Sequence, residues 1–411
     1  MFFLRPKNHF VSLKHLEMKP RILYIASSGI RHPLVVSQVV RYLKRLSQSS
    51  EICHLVTLER DPFEPGEEDR IRQELLPHQI HWHGQKSYPN LRAFNIWREI
   101  YGGYRKCLKL IKDYDLNIIH ARSFIPGNIA LRLSRKTGLK FLYDMRGFWT
   151  HEKWAKGTIK NQVVRNYSQK MENRLFSDAD SLVSLSFAGK NFLKENGIKT
   201  QIDVIPCCCD TELFFPAEVR QKSNAHQLIA AGSLGPGYLP EAVFGLFEAS
   251  KKLYSKCNLK LLTRTNRGAL EKAAQKSNCD LSSVFIGSVG PDEVGEHLRQ
   301  ADVGVVMNQF NFDKIACSPT KLAECLATGL PVFANCKGIG DMEDIITTNR
   351  VGVVVEEQNQ ESWLRAVQEM KHLLTDPEVR IRCRKLAVDR FSVDVAVGVY
   401  ADIYQRLVSD L

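Results

Sequence analysis

Ser318-Pro319-Thr320-Lys321-Leu322-Ala323-Glu324-Cys325-Leu326-Ala327-Thr328-Gly329-Leu330-Pro331-Val332 reads as a short helix with both ends written into its residues. Ser318 can accept a hydrogen bond from a first-turn N–H, and Pro319 at the first helical position gives up no bond the helix needs. Gly329 suits the residue just past the helix end, and Pro331 stops the helix from continuing. Leu330, Val332 and Phe333 then open an apolar, strand-like run. A helix start with free N–H groups and partial positive charge favours an anion. Lys321 lies in the first turn, and Glu324 follows about one turn later on the same side. A phosphate at the helix end, with Glu324 accepting from ribose hydroxyls, describes a seat for a nucleoside diphosphate. Taken alone, the segment fits equally well a capped surface helix with a Lys321–Glu324 ion pair.

Outward from this segment, short β-rich runs alternate with amphipathic helices along the chain. Residues 20–28 form a strand broken by Gly29, and the spacing of Leu34, Val35, Val39, Leu43 and Leu46 is helical, with Arg41, Lys44 and Arg45 toward solvent. Strands are expected at 52–58, 116–120, 141–144, 181–186 and 203–205, with helices between them. After an aperiodic stretch at 207–223 the alternation restarts with strands at 228–231, 259–262, 283–286, 303–307, 331–334 and 352–355. Such alternation predicts an α/β protein with parallel sheets covered by helices. Five segments follow: an N-terminal extension at 1–19, a first α/β domain at 20–206, a linker at 207–223, a second α/β domain at 224–390, and a closing helix at 391–411.

The chain has 411 residues, 44% hydrophobic and 25% charged, which is an ordinary globular composition with room for two or three domains. The formal net charge of +12 is uneven. Residues 1–200 carry 34 Lys+Arg against 18 Asp+Glu, and the remainder 23 against 27. The basic half suits nucleic acid, anionic lipid or an anionic substrate, and composition does not choose among them. No apolar run is long enough for a membrane span, and a cytoplasmic protein is expected. Eleven cysteines at irregular spacing fit reduced thiols better than a disulfide framework. Cys207, Cys208 and Cys209 are adjacent, so they cannot all converge on one ion, and no metal site is expected.

The ordered landmarks resemble the GT-B glycosyltransferases of family 4. The opening segment has the form Ser-Pro-x-Lys-x-x-Glu, and Val204-Ile205-Pro206 with Asp210, Phe214 and Pro216 is similar to the family's interdomain junction. Ala231 to Tyr238 resembles its first C-domain strand and glycine-bearing loop. Phe285-Ile286-Gly287 followed by Ala301-Asp302-Val303 matches the succession before the donor helix. The resemblance spans residues 20–408 and implies two Rossmann-like doubly wound domains facing a central cleft.

It further implies that the backbone around Ser318, Pro319, Thr320 and Lys321 holds the distal phosphates of a nucleotide-sugar, that Lys321 adds charge, and that Glu324 binds the ribose. Ser28 and Gly29 would approach the diphosphate from the first domain, and Gly235 from the loop of the second. In Asp144-Met145-Arg146-Gly147, Arg146 would pair with a phosphate or donor hydroxyl while Asp144 orients the acceptor. His120 and Arg122 are weaker candidates.

Two departures stand out. Ala316 occupies the position of a sugar-contacting glutamate found in many relatives. Ser233 stands where many carry a diphosphate-binding arginine, with no lysine between Gly235 and Leu239, so Arg264 or Arg267 is the expected substitute. The implied activity is retaining, metal-independent transfer of a sugar to a hydroxyl acceptor in cell-surface polysaccharide, lipopolysaccharide or glycolipid synthesis. The nucleotide-sugar is then a co-substrate, no cofactor is needed, and the basic first half suits peripheral contact with the inner face of an anionic membrane. A non-catalytic nucleotide-sugar-binding subunit is the alternative, and a nucleic-acid-binding protein a more distant one.

Overall fold

In the computed structural model, which describes residues 19–48, 50, 52–87, 93–218, 225–235 and 237–409, the alternation resolves into two parallel sheets. The first comprises β1 (Arg21–Ala26), β2 (Ile52–Glu59), β3 (Ile80–Lys86), β4 (Ile118–Arg122), β5 (Lys140–Asp144), β6 (Ser181–Ser184) and β7 (Gln201–Val204), in the order β3-β2-β1-β4-β5-β6-β7. The second comprises β8 (His226–Ala231), β9 (Cys257–Leu262), β10 (Val284–Gly287), β11 (Val303–Val306), β12 (Val332–Ala334) and β13 (Gly352–Val354), in the order β10-β9-β8-β11-β12-β13. Each order reverses once, between β1 and β4 and between β8 and β11. In open α/β sheets, ligands bind outside the strands' carboxyl ends at such switch points. The central strands are buried on both faces because helices cover both, so they read as continuous apolar runs such as Ile22–Ala26.

Most of the extension at 1–19, residues 219–223 of the linker, and Pro236 in the glycine-bearing loop lie outside the described residues. The sequence reading assigned nothing between 59 and 90, where the structure has the helix Glu67–Leu75 and the edge strand β3.

Two chain crossings join the halves and run side by side. Cys209 N–H donates to Phe391 O at 2.8 Å, and Val393 N–H donates to Cys209 O at 3.1 Å. Residues 391–392 are therefore paired backbone, and the closing helix begins at Val393. Its Tyr400, Ile403, Tyr404 and Leu407 are buried among Ile22, Tyr24 and Ile118 of the first sheet. Full burial of such side chains is worth roughly 1.5–3 kcal/mol each, so the chain end is held firmly on the first half.

The halves also meet directly. Asp341, beyond β12, accepts from the N–H groups of Phe187 at 2.8 Å and Ala188 at 2.9 Å, capping the helix Phe187–Glu195 of the first half. An anionic side chain at a helix N-terminus satisfies otherwise orphaned donors and suits the helix dipole. Arg41 and Arg45, expected toward solvent, both form ion pairs, Arg41 across to the second half and Arg45 with the linker and the closing helix. Arg41 pairs with Asp292 at 2.8 Å, and Arg45 with Asp394 at 2.7 Å and Glu212 at 2.8 Å.

Candidate active site

The helix after Ser318-Pro319 runs Thr320–Ala327, one residue later than its sequence implies. Pro319 is its N-cap residue in extended backbone, and no side chain caps it. Ser318 does not do so because its Oγ accepts from the N–H of Cys207 at 3.2 Å, tying the helix start to the linker. Pro319 has no N–H, so it donates nothing to a phosphate. The N–H groups of Thr320 and Lys321 meet no acceptor among the described residues, which leaves two donors for an anion. At the far end Gly329 adopts φ +71°, a left-handed conformation that glycine takes without strain. Leu330 N–H then closes on Cys325 O at 2.9 Å.

The Lys321–Glu324 ion pair does not form. Lys321 Nζ donates instead to Ser233 O at 2.8 Å and lies 3.9 Å from the centroid of the Tyr238 ring. Gly232 makes room for it, since a Cβ there would sit 2.7 Å from Lys321 Cε. Burial lowers the Lys321 ammonium to about 8, against the opposing pull of Glu324. Burial raises the Glu324 carboxyl to about 7, although Lys321 and Arg41 act to lower it. No donor is placed to hydrogen-bond Glu324 among the described residues. A half-buried carboxylate without donors at a strand-end cleft is prepared for hydroxyl groups, because an unsatisfied buried acceptor carries a desolvation cost that a ligand can relieve.

The remaining C-domain candidates line the neighbouring loops. Leu234 N–H donates to Thr265 Oγ1 at 2.9 Å, joining the loop after β8 to the one after β9. Arg264 lies between Thr263 and Thr265 in that second loop and is exposed. Arg267 is tied to Glu271 of its own helix at 3.0 Å. Gly235 contacts little, its N–H reaching Ser233 Oγ at 3.3 Å.

In the first half, Ser28 is half-buried after β1. A side chain at Gly29 would collide with the carboxylate of Glu59, which accepts from the Ile30 N–H at 2.8 Å. The close approach there is to Glu59, so the glycine has a packing reason of its own.

Asp144 requires a correction. It ends β5 at the position paired with Arg122 of β4, and its side chain is 0% exposed, so it cannot touch an acceptor. Its carboxylate accepts from Arg122, Arg146 and Tyr400, each at 3.2 Å. Burial alone would raise its pKa, but Arg146, His120 and Arg122 together outweigh burial and hold it well below the usual carboxylate range. Asp144 therefore positions arginines. Arg146 reaches Cys207 Sγ at 3.0 Å, and the N–H of the same Cys207 donates to Ser318 Oγ, which links the guanidinium to the segment just before the helix start. His120 is fully buried, with Nδ1 2.6 Å from Tyr404 OH, and is structural.

The three adjacent cysteines diverge as expected. Cys207 Sγ meets Arg146, Cys208 Sγ lies 3.5 Å from Pro206 O, and Cys209 Sγ lies 3.4 Å from Ala323 O. Ala316 is fully buried and packs against Gly189 of the first half, where an added Cβ would come within 2.6 Å. A long acidic side chain has no room at that position. Sequence reasoning gave no role to Tyr238, Lys314 or Arg41. Lys314, 19% exposed and 3.5 Å from Asp313, brings a further cation toward Glu152 and Tyr238.

Both halves of the chain match known protein families. Residues 35–213 match the model of Glycosyltransferase Family 4, and residues 225–373 match that of Glycosyl transferases group 1. An alpha-monoglucosyldiacylglycerol synthase of Streptococcus pneumoniae is 23% identical over 259 residues, a match that takes in 59% of this chain and 57% of that relative. Among solved structures, sucrose-phosphate synthase from Thermosynechococcus elongatus superposes with a TM-score of 0.72 at 15% identity, covering 95% of this chain and 100% of that one. HepE of Anabaena, solved with UDP and glucose, superposes at 0.66 and 12% identity, covering 93% and 99%. With its two halves matched in order and its two parallel sheets arranged as in these structures, the chain belongs to the family 4-like glycosyltransferases of the GT-B fold.

Proposed function

We propose that the protein transfers a sugar from a nucleotide-diphosphate-sugar to a hydroxyl acceptor with retention of anomeric configuration. The observation that carries this reading is the pairing, at one strand-end cleft, of an uncapped helix start with a donor-free Glu324 one turn inward. Thr320 and Lys321 N–H groups, the Lys321 ammonium and Arg146 meet the charge that develops on the leaving diphosphate, so the reading needs no metal and no cofactor. In this reading Ser28 and Gly29 approach the diphosphate from the first half, and Gly235 and Arg264 from the loops of the second. The bond from the sugar's anomeric carbon to the diphosphate oxygen breaks as the acceptor oxygen bonds that carbon on the same face. The acceptor's proton passes to the departing phosphate oxygen. Closure of the two halves excludes water and suppresses hydrolysis.

Thermal stabilisation across a panel of nucleotide-sugars identifies the donor, and the product's anomeric configuration by NMR tests retention. Glu324→Ala is expected to raise the donor Kd at least tenfold while the melting temperature of the free protein stays within about 2 °C. Unchanged affinity would remove Glu324 from the site. A second reading, a non-catalytic nucleotide-sugar-binding subunit, is favoured by the buried Ala316. Donor binding with no nucleoside diphosphate released in the presence of lipid and saccharide acceptors would establish it.

The acceptor in this reading is a carrier lipid, glycolipid or growing surface polysaccharide at the inner membrane face. Val163 (75% exposed) and Tyr167 (62%) project from the helix Gln162–Asp178, among exposed Lys156, Lys160, Lys170 and Arg174. The only acid between 153 and 177, Glu172, is buried, where it accepts from the N–H groups of Trp149 and Thr150. Apolar tips within a basic field suit an anionic lipid surface. Among the described residues no helix is long and apolar enough to cross a membrane. The full chain is expected to co-float with phosphatidylglycerol vesicles but not with phosphatidylcholine vesicles, and V163D/Y167E to abolish co-flotation. Equal binding to both vesicles would remove the membrane from the reading.

A further inference from the structure

Lysine and glutamate three residues apart on a helix ordinarily pair, yet the ammonium of Lys321 turns away from Glu324. It reaches the loop after β8, where Nζ donates to Ser233 O at 2.8 Å and lies 3.9 Å from the centroid of the Tyr238 ring. A π face at that distance attracts a cation. The ring is itself fixed by the ends of the second sheet. Tyr238 bridges to Asn308, just past β11, with Gln309 N–H donating to Gly237 O at 3.0 Å and Leu239 N–H to Met307 O at 3.3 Å on either side. Asn308 is anchored in turn, its N–H donating to Asn335 Oδ1 at 2.7 Å, next to the end of β12. Gly232 supplies the room for the lysine stem, since a Cβ there would lie 2.7 Å from Lys321 Cε.

We propose that Tyr238 is a positioning residue for the donor diphosphate: its ring holds the Lys321 ammonium away from Glu324, which leaves the cation for phosphate and the carboxylate for ribose. The inference rests on the donor reading above. A flexible four-carbon stem has many rotamers, including those that reach a carboxylate three residues on. In such a pair each charge satisfies the other, and a ligand must first separate them. Held on the ring, the ammonium uses one N–H on Ser233 O and keeps its others for an anion. A group already in place needs no ordering when the diphosphate arrives. The π face and the carbonyl also favour the charged form against burial, alongside Glu324 and Cys325 of the same helix.

The test combines NMR and calorimetry on the full chain. With lysines labelled at Cε, the Lys321 signal is the one lost in Lys321→Ala, and in wild type its attached protons are expected upfield of the other lysines because they lie against a ring face. Tyr238→Phe should keep that displacement and Tyr238→Leu should abolish it. A wild-type Lys321 signal at the position of the exposed lysines overturns the proposal. Calorimetric titration near pH 7 with uridine, guanosine and adenosine diphosphates then continues with the tightest. Tyr238→Leu is expected to weaken it about five- to tenfold, whereas Tyr238→Phe, which keeps the ring, should bind within about twofold of wild type. In a Lys321→Ala background, Tyr238→Leu should weaken binding by less than about twofold more. A loss that adds in full to that of Lys321→Ala, or equal losses in Tyr238→Leu and Tyr238→Phe, overturns the proposal. Unchanged affinity in Tyr238→Leu where Lys321→Ala is weakened also overturns it, and leaves the donor reading standing. If no diphosphate binds wild type, or Lys321→Ala binds as wild type does, the diphosphate seat itself is wrong and the proposal falls with it.

Discussion

Asp144→Ala is expected to lower the free energy of unfolding by about 3–5 kcal/mol, because it strands two largely buried arginines without their shared carboxylate. Arg122 and Arg146 have 11% and 16% of their side-chain surface exposed, so water cannot replace the lost partner cheaply. Tyr400 OH also loses its acceptor, which loosens the closing helix where it crosses the first sheet. Urea unfolding followed by circular dichroism gives the value. Asp144→Asn keeps an acceptor oxygen and removes the charge, so its loss should be smaller. A change under about 1 kcal/mol for Asp144→Ala would show that the cluster is already solvated and that Asp144 is free for another role. Protein that remains folded should turn over slowly, since Arg146 loses the group that orients it.

Lys321→Ala is expected to reduce kcat by about 10²–10³-fold with the fold intact, the range for removing one charge-stabilising donor from a reacting centre. Lys321 Nζ bonds a single backbone carbonyl and lies on one ring without forming an ion pair, so its removal breaks no salt bridge. The ammonium, lowered to about 8 by burial, is charged below that pH and neutral above it. The wild-type kcat/KM profile should therefore fall with an alkaline limb near pH 8, which the variant lacks, because this profile reports groups of the free enzyme. Lys321→Arg should not restore the rate, since the passage beside Gly232 and Tyr238 fits a narrow stem. Unaltered turnover in Lys321→Ala would remove the lysine from the reaction.

Much of the architecture was legible from residue order. The apolar runs separated by amphipathic stretches specify parallel strands buried on both faces, because only a helix-covered sheet hides such runs completely. Gly329 and Pro331 end their helix through their own backbone constraints, which need no distant partner. The helix Glu67–Leu75 and strand β3 were not legible. The first is charged almost throughout and buries only Leu75, and the second is an edge strand carrying His81 and His83. The helix lacks an apolar stripe, and β3 alternates only over Ile80–His83 before Gly84 and Gln85 end the pattern, too short a period to stand out.

What the sequence by itself determined is local: two α/β halves in order, a helix whose start faces the strand ends, and Lys321 and Glu324 one turn apart upon it. Tertiary structure decided what each polar group touches. Ser318 is drawn from its own helix to the Cys207 N–H, 111 residues away. Asp144 is sealed by Tyr400, 256 residues away, and Arg41 meets Asp292 across 251 residues. Backbone propensity and apolar period act between neighbours, so a single sequence displays them directly. The partner of a buried charge depends on which surfaces the folded halves bring together, and a residue's own neighbours do not encode that choice.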